Sequence, residues 1–162
     1  MIQAATGSRL LGAGLVAIQV GLLVAFFTAD PGHHWAAPAW LVAAAGALGT
    51  AGLGVLILSA LNLGRSLTAM PNPAERATLK TTGLYRFVRH PLYAGLLALV
   101  LGRTVSSGSW TKAALGAALF ALILGKARWE EQMLRQRYPE YAEYAARTPR
   151  FIPLPMRKAG RP

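Results

Sequence analysis

Length, composition and charge place this chain among membrane proteins. Its 162 residues suffice for a single domain, spanning residues 1–162. Hydrophobic residues make up 54% of the chain and charged residues only 14%, whereas a typical soluble domain is about 25% charged. These values exclude a disordered chain, a collagen-like chain and an ordinary soluble enzyme. The net charge of +11 then indicates basic loops beside anionic lipid rather than nucleic-acid binding.

Two long apolar runs occupy the first part of the chain. Residues 10–28 and 40–63 carry no charged side chain, and each can cross a bilayer core of roughly 30 Å as a helix. The first run is longer than the apolar region of a signal peptide, so we expect it to be retained. Small residues at four-residue spacing predict the packing faces of both helices. They are Ala13, Ala17, Gly21 and Ala25 in the first run, and Gly46, Thr50 and Gly54 in the second.

Two shorter apolar runs follow, and a turn joins them. Residues 91–106 and 111–128 predict two further membrane helices, and the Ser-Ser-Gly-Ser sequence at 106–109 predicts the turn between them. We expect a helical hairpin with charged ends. Its long basic side chains can reach toward the membrane interfaces. They belong to Arg103, Lys112 and Lys126.

The distribution of positive charge predicts the orientation of these helices. Lys and Arg concentrate in residues 64–90 and after Gly125, whereas residues 30–39 contain neither. The positive-inside rule therefore places both termini and residues 64–90 in the cytoplasm. We expect an all-α integral membrane protein with about four transmembrane helices and a C-terminal helical segment that is cytoplasmic or interfacial. Residues 64–90 and 129–155 would then form the catalytic segments.

The first candidate site surrounds the start of the third membrane helix. Pro91 suits the first turn of a helix, which makes His90 the cap residue. A helix N-terminus carries partial positive charge, and Arg86 and Arg89 add full charges beside it. This arrangement favours a receptor for a carboxylate or a phosphate. The alternative is a basic turn that binds lipid headgroups.

The second candidate site is the pair Glu130-Glu131 near the end of the fourth helix. Neighbouring residues in a helix project about 100° apart, so we expect that both carboxylates cannot face one partner. One interpretation is a pair of solvated ion pairs, Glu130 with Lys126 and Glu131 with Arg135. The other is that one glutamate turns inward and accepts hydrogen bonds from ligand hydroxyls or an amine.

The third candidate site lies near the C-terminus. Tyr141 and Tyr144 are three residues apart and should share one helix face. Pro149 and Pro153 should end that helix and bracket an extended segment. Within the segment, the Arg150 guanidinium could bind an anionic substrate. The alternative is an interfacial amphipathic helix with aromatic anchors, and the two interpretations are compatible.

Taken in chain order, these motifs resemble the isoprenylcysteine carboxyl methyltransferase family, which belongs to a broader group that includes phospholipid N-methyltransferases. The resemblance covers about residues 63–153. The residues that carry it are Gly83-x-Tyr85-Arg86-x-x-Arg89-His90-Pro91-x-Tyr93-x-Gly95, Glu130-Glu131-x-x-Leu134, Tyr141-x-x-Tyr144 and Arg150-Phe151-Ile152-Pro153. The chain departs from the family pattern at two bends, with Leu84 in place of the usual proline and Pro139 in place of the commoner glycine.

The resemblance implies an integral-membrane methyltransferase that uses S-adenosylmethionine and releases S-adenosylhomocysteine. Its acceptor would be a lipidic or amphiphilic molecule at the cytoplasmic membrane face. Carried over by position, Glu130 and Arg150 become catalytic candidates, with Arg150 near the substrate. The cofactor-binding candidates are Tyr85, Arg89, His90, Tyr93, Glu130 and Glu131.

The acceptor chemistry and two other function classes stay open. A carboxylate acceptor is already ionised near neutral pH, whereas an amine headgroup needs a general base such as a glutamate. Arg150 favours the carboxylate. The alternatives to a methyltransferase are an NADPH-dependent membrane reductase and a non-enzymatic lipid-binding protein.

Two compositional features bear on metals and source. The chain contains no cysteine, which excludes a thiolate zinc site, and the adjacent His33 and His34 are a weak metal signal to which we assign no role. A chain rich in Ala, Gly and Arg suggests a prokaryotic inner membrane.

Overall fold

The computed structural model describes residues 2–29, 32–64 and 79–153, with side chains from residue 10 onward. Within these ranges the chain is helical and forms no β-strand, which confirms the predicted all-α class. The helices are α1 (Ile2–Thr28), α2 (Ala39–Leu63), a 3₁₀ helix (Gly83–Arg86), α3 (Pro91–Ser107), α4 (Trp110–Arg137) and α5 (Tyr141–Arg147).

Four of these helices are apolar, as the sequence predicts. Three are long and apolar enough to cross a membrane, at Leu10–Thr28, Ala39–Leu63 and Trp110–Arg137. The fourth, α3, is a shorter apolar helix of 17 residues, about 26 Å at 1.5 Å per residue. In contrast, the 28 residues of α4 extend about 42 Å, so its last turns project beyond an apolar layer of roughly 30 Å. The protein is therefore an integral membrane protein.

The helices contact one another in the order α1, α4, α3, α2, and α2 and α3 pack most closely. Glycines permit this approach, because a Cβ at Gly95 would lie 2.6 Å from the Gly52 carbonyl oxygen. Gly102 faces Gly49 two turns further along α3.

The predicted packing face of α2 is wrong. A Cβ at Gly46 or Gly54 meets no atom within 4 Å, whereas Gly49 and Gly52 are buried. Small residues recur three or four positions apart on both faces of this helix, so spacing alone does not distinguish the two faces. The glycines on α3 decide the face, because they complement Gly49 and Gly52.

The predicted packing face of α1 is also wrong. Ala13, Ala17 and Gly21 are exposed, while Phe26 is fully buried. Bulky side chains on the other side of α1 join the apolar core, because they fill the space beside α3 and α4. That core consists of Phe26, Leu96, Val100, Leu119 and Ile123, with Leu22 and Leu23 packed against it.

The hairpin between α3 and α4 matches the prediction. Gly108 ends α3 in the left-handed conformation with φ +60°, and the Ser109 side chain caps α4 by accepting a hydrogen bond from the Lys112 amide. The loop before α2 packs on this turn, since the Trp35 amide donates to the Gly108 carbonyl at 2.7 Å. His34 Nδ1 lies 3.1 Å from the Ser107 carbonyl, so His34 joins the loop to the hairpin.

Parts of the two predicted catalytic segments lie outside the described residues. These are residues 65–78 of the segment 64–90 and residues 154–155 of the segment 129–155. The predicted cytoplasmic position of both termini stays a prediction.

Candidate active site

The start of α3 and the segment after α5 lie side by side. Pro91 opens α3 and His90 is its N-cap residue, as the sequence predicts. The Arg89 amide donates to the Pro149 carbonyl at 2.8 Å, and the His90 amide donates to the Arg150 carbonyl at 3.0 Å. These two backbone bonds bring residues 60 positions apart in the chain into one cluster at the end of the helix bundle.

Glu131 forms the centre of this cluster. Its carboxylate accepts two hydrogen bonds from Arg150, from Nε at 2.8 Å and from Nη2 at 2.7 Å. Arg89 Nη2 lies 3.3 Å from the same carboxylate, and His90 Nε2 lies 3.1 Å from it. The Glu131 side chain is only 4% exposed. The bidentate bond fixes both side chains and raises the pKa of Arg150 further.

Glu130 lies on the other edge of the His90 ring. The Tyr93 hydroxyl donates to Glu130 Oε2 at 3.2 Å, and His90 Nδ1 lies 3.8 Å from that oxygen. The Glu130 side chain is 28% exposed, and its Oε1 atom makes no hydrogen bond with a described residue. The two adjacent glutamates therefore differ, because Glu131 is fully engaged and Glu130 keeps an available oxygen.

The expectation that both carboxylates cannot face one partner is wrong. An imidazole has nitrogens on two edges of its ring, so His90 lies between Glu130 and Glu131 with one nitrogen toward each. The Tyr93 ring stacks on His90 at a centroid distance of 5.5 Å and keeps it in this orientation.

The two solvated ion pairs expected for these glutamates are replaced by inward contacts. Glu131 bonds to Arg89, His90 and Arg150, while Arg135 is exposed. Partners just before α3 and beyond α5 surround Glu131, so it faces the protein rather than its own helix surface. Arg135 instead borders an open groove of about 390 Å³. The groove is also lined by Arg89 and by three alanines of α5, Ala142, Ala145 and Ala146.

Helix α5 covers the cluster with two tyrosines. Tyr141 and Tyr144 are both buried, and their rings meet edge to face at 5.9 Å, which confirms that they share a face. The Tyr144 hydroxyl donates to the Tyr85 carbonyl at 2.5 Å. Burial raises the pKa of Tyr144 to about 12, so the hydroxyl stays protonated and able to donate. These tyrosines hold the segments of the site together.

Tyr85 and Arg86 have different surroundings although they are neighbours. Burial, helped by the charge of Glu130, raises the pKa of Tyr85 to about 12, which indicates that its phenol lies near the cluster. Arg86 is exposed, and its guanidinium lies 5.0 Å from the Phe87 ring centroid. Tyr85 therefore lies beside the cluster, and Arg86 does not.

The donors and acceptors of the cluster suit an amino-acid nucleoside such as S-adenosylmethionine. Glu130 Oε1 is available to ribose hydroxyls or to an ammonium group. Two buried polar atoms, Arg89 Nε and the Tyr141 hydroxyl, have no hydrogen-bond partner among the described residues. The N–H of a guanidinium Nε and a hydroxyl are donors that can bind a carboxylate.

Comparison with known proteins identifies the family of this chain. A family model described as phospholipid methyltransferase matches residues 40–141, well over half of the chain. The chain belongs to the phospholipid methyltransferase family. This family consists of membrane methyltransferases related to the isoprenylcysteine carboxyl methyltransferases, and its members typically use S-adenosylmethionine. The family resemblance found in the sequence is thereby confirmed.

Two bacterial relatives extend the comparison. The cobalt-zinc-cadmium resistance protein CzcN of Cupriavidus metallidurans is 39% identical over 103 residues, and the nickel-cobalt-cadmium resistance protein NccN of Alcaligenes xylosoxydans xylosoxydans is 36% identical over 103 residues. Each match covers 62% of this chain and 48% of the relative. The chain therefore spans about half the length of these two relatives.

Sequence reasoning did not predict the contact between two side chains beside the site, Lys126 and Gln19. Lys126, expected to reach toward the membrane interface, is buried, and its Nζ donates to Gln19 Oε1 at 2.6 Å. Side chains in a helix lean toward its N-terminus, so Lys126 leans back toward the apolar part of α4. The sequence contains a signal for this contact, because Gln19 carries the one side-chain amide in the apolar run 10–28.

Proposed function

We propose that this member of the phospholipid methyltransferase family is an S-adenosylmethionine-dependent enzyme that methylates a lipidic or amphiphilic acceptor, with a carboxylate favoured over an amine. The observation that carries the proposal is the Glu130–His90–Glu131 arrangement at the start of α3. It combines one fully engaged carboxylate with one available carboxylate oxygen, next to two buried polar atoms that have no partner in the described part of the chain.

The residues divide into those that bind and those that position. Glu130 would bind the hydroxyls or the ammonium group of the cofactor through Oε1, and Arg89 would bind its carboxylate. Tyr93 and His90 would hold Glu130 in place through the hydroxyl bond and the ring stack. Tyr85 would lie beside Glu130 at the same site.

The reaction asks mainly for alignment of the two substrates. When bound, S-adenosylmethionine supplies a methyl group on a sulfonium, and transfer to a carboxylate oxygen forms a C–O bond, breaks the C–S bond, leaves the electron pair on sulfur and moves no proton. The protein then needs to hold the acceptor oxygen in line and exclude water. Rigid contacts such as the Arg150–Glu131 bond suit that task.

Arg150 would act at the acceptor end of the site. Its Nε and Nη2 bind Glu131, which leaves Nη1 for an anionic acceptor, and its side chain is 30% exposed. Arg150→Lys keeps the charge but loses the planar fork. We expect this change to raise the acceptor KM or to lower kcat while S-adenosylhomocysteine affinity stays nearly the same. Unchanged turnover would contradict the assignment of Arg150 to the acceptor site.

An amine acceptor is the second candidate, and Glu130 is the observation that favours it. A protonated amine must lose a proton before it attacks, and a partly exposed carboxylate beside a histidine could accept that proton. The family description, phospholipid methyltransferase, is compatible with this chemistry.

The two bacterial relatives are named for metal resistance, which does not change the proposal. Within residues 2–29, 32–64 and 79–153, no group of three or more His, Asp or Glu side chains is placed to hold a metal ion. We also propose that the protein resides in a prokaryotic inner membrane with the Glu130–Glu131 site facing the cytoplasm.

Methyl transfer from labelled S-adenosylmethionine to a bacterial lipid extract tests the proposal. The protein would be reconstituted in nanodiscs, and the lipid product would be treated with mild base. A methyl ester releases its label as methanol, whereas an N-methyl group keeps it. Release of the label supports a carboxylate acceptor, and base-stable label supports an amine. No labelled lipid from protein that binds the cofactor would contradict a lipidic acceptor.

A further inference from the structure

Lys126 lies in an unusual position for a charged side chain. It belongs to the apolar helix α4, it is 3% exposed, and its Nζ donates to the neutral amide oxygen of Gln19 on α1 at 2.6 Å. An ammonium group has three donors, and one hydrogen bond satisfies only one of them. The other two find no acceptor among the described residues. A buried charge in a membrane helix without a full set of partners indicates a functional site.

This ammonium group is continuous with the Glu130–Glu131 cluster. Lys126 Nζ lies 5.6 Å from the centroid of the Tyr93 ring, and the hydroxyl of that ring donates to Glu130. Glu130 itself lies one turn further along the same face of α4, with its carboxylate more than 4.0 Å from Nζ. Lys126 therefore occupies the side of the site that faces the apolar layer.

The two arginines of the site each have a carboxylate partner. Arg150 and Arg89 both pair with the Glu131 carboxylate. Within the described residues, Lys126 has no carboxylate within 4.0 Å, so its positive charge is the least compensated at the site. Arg150 is the more accessible cation, with its side chain 30% exposed, whereas the buried Lys126 lies on the side of the site toward the apolar layer.

We propose that Lys126, held by Gln19, is the specificity residue for the acceptor and selects a lipid-like molecule with an anionic group. The inference rests on the proposed function and deepens it, because it assigns the anion preference to a residue outside the family motif. The remaining N–H groups of the ammonium would bind a carboxylate or phosphate oxygen in surroundings of low dielectric constant, where such bonds are strong.

The test measures binding of three amphiphiles that share one alkyl chain and differ in headgroup. The protein is placed in phosphatidylcholine nanodiscs, and laurate, lauryl alcohol and dodecylamine are titrated with and without S-adenosylhomocysteine, with empty nanodiscs as the blank. We expect the wild-type protein to bind laurate roughly tenfold or more tightly than the alcohol or the amine. Equal binding of laurate and alcohol, or preference for the amine, would overturn the inference.

Matched variants on α4 assign the preference to one side chain. Lys126→Met should lower laurate affinity to that of the alcohol and leave S-adenosylhomocysteine affinity unchanged. Lys112→Met removes the same charge from a lysine of the same helix that is equally buried, at 4% exposure, 14 residues away over the Phe26 ring. It should keep the wild-type preference. A Lys126→Met protein that still prefers laurate would overturn the inference and assign the lysine a bracing role between α1 and α4.

Two further variants decide the matter if Lys126→Met does not fold. Lys126→Arg and Gln19→Leu both keep a positive charge at this position, so both should retain the preference for laurate. Loss of the preference in either would contradict a charge-based selection. S-adenosylhomocysteine binding by the wild-type protein reports separately on the proposed function, because the headgroup preference is also measured without that ligand.

Discussion

The two ends of the helix bundle both join chain segments through polar contacts, but they use different groups. At one end, the hairpin between α3 and α4 meets the preceding loop through backbone bonds, such as the Trp35 amide to the Gly108 carbonyl, and through His34. At the other end, four ionisable side chains surround the carboxylates of Glu131 and its neighbour Glu130. They belong to Arg89, His90, Tyr93 and Arg150. Backbone bonds suffice to close a turn, whereas a buried network of charges is costly and is kept where it serves a function.

This difference predicts that changes at the network end affect both stability and ligand binding. Changes at the hairpin end should affect stability alone. Four substitutions, taken from the largest expected effect to the smallest, test that separation.

Glu131→Gln should have the largest effect. It leaves Arg89 and Arg150 without their shared carboxylate, and removal of one partner from a buried ion network costs about 3–5 kcal/mol. We expect a marked drop in the thermal unfolding midpoint and loss of S-adenosylhomocysteine binding. The control is Glu143→Gln, which breaks the exposed pair with Arg147 and should change neither property measurably. Equal effects of the two variants would contradict a special role for the network.

Gly95→Ala should have the second largest effect. Gly95 lies in the packed contact between α2 and α3. A Cβ here would lie 2.6 Å from the Gly52 carbonyl oxygen, so α2 and α3 must separate. Overpacking of this kind costs roughly 1–3 kcal/mol. Because α3 also carries Tyr93, we expect weaker cofactor binding as well as a lower unfolding midpoint. Gly46→Ala, on the open face of α2, should leave both unchanged.

Tyr144→Phe should cost roughly 1–2 kcal/mol, because it leaves the Tyr85 carbonyl without its donor. The folded-state pKa of Tyr144, about 12, lies above the ordinary value of 10.0. Its contribution is therefore fully present below about pH 10 and is lost as the pH rises toward 12. Unfolding midpoints of wild type and variant should converge across that interval. A constant difference would show that the hydroxyl bond does not carry the effect.

Ser109→Ala should have the smallest effect. The Ser109 side chain caps α4 by accepting from the Lys112 amide at 3.2 Å, and loss of such a cap costs about 1 kcal/mol. Since this cap lies at the hairpin end, we expect a slightly lower unfolding midpoint and unchanged S-adenosylhomocysteine affinity. Weaker ligand binding in this variant would show that the two ends are coupled, against the comparison above.

Sequence reasoning predicts the parts of this fold that depend on local pattern. The apolar runs, the turn at residues 106–109 and the shared face of Tyr141 and Tyr144 follow from composition, turn residues and helical spacing. The packing faces of α1 and α2 do not follow. On α2, two small-residue stripes compete and only the partner helix decides between them, whereas α1 packs through bulky side chains. Gly95 and Gly102 of α3 determine the packing face of α2, because they lie against Gly52 and Gly49.

The site shows the same division between local and distant information. The motif residues around His90 and Glu130 lie together, as the family resemblance implies. What spacing could not predict is that both glutamates face one histidine, since that depends on the position of a side chain 40 residues away in the chain. The Lys126–Gln19 contact joins α1 to α4 over 107 residues and lies outside any motif.

Calorimetric titration of the reconstituted protein with S-adenosylhomocysteine tests the central claim most directly, with NADPH titrated alongside. The account predicts saturable binding of S-adenosylhomocysteine that is strongly weakened in His90→Ala and unchanged in Ser109→Ala, and no comparable binding of NADPH. Binding of NADPH in its place would favour a reductase. A folded, monodisperse sample that binds neither ligand would contradict the assignment of the Glu130–His90–Glu131 arrangement as a methyl-donor site.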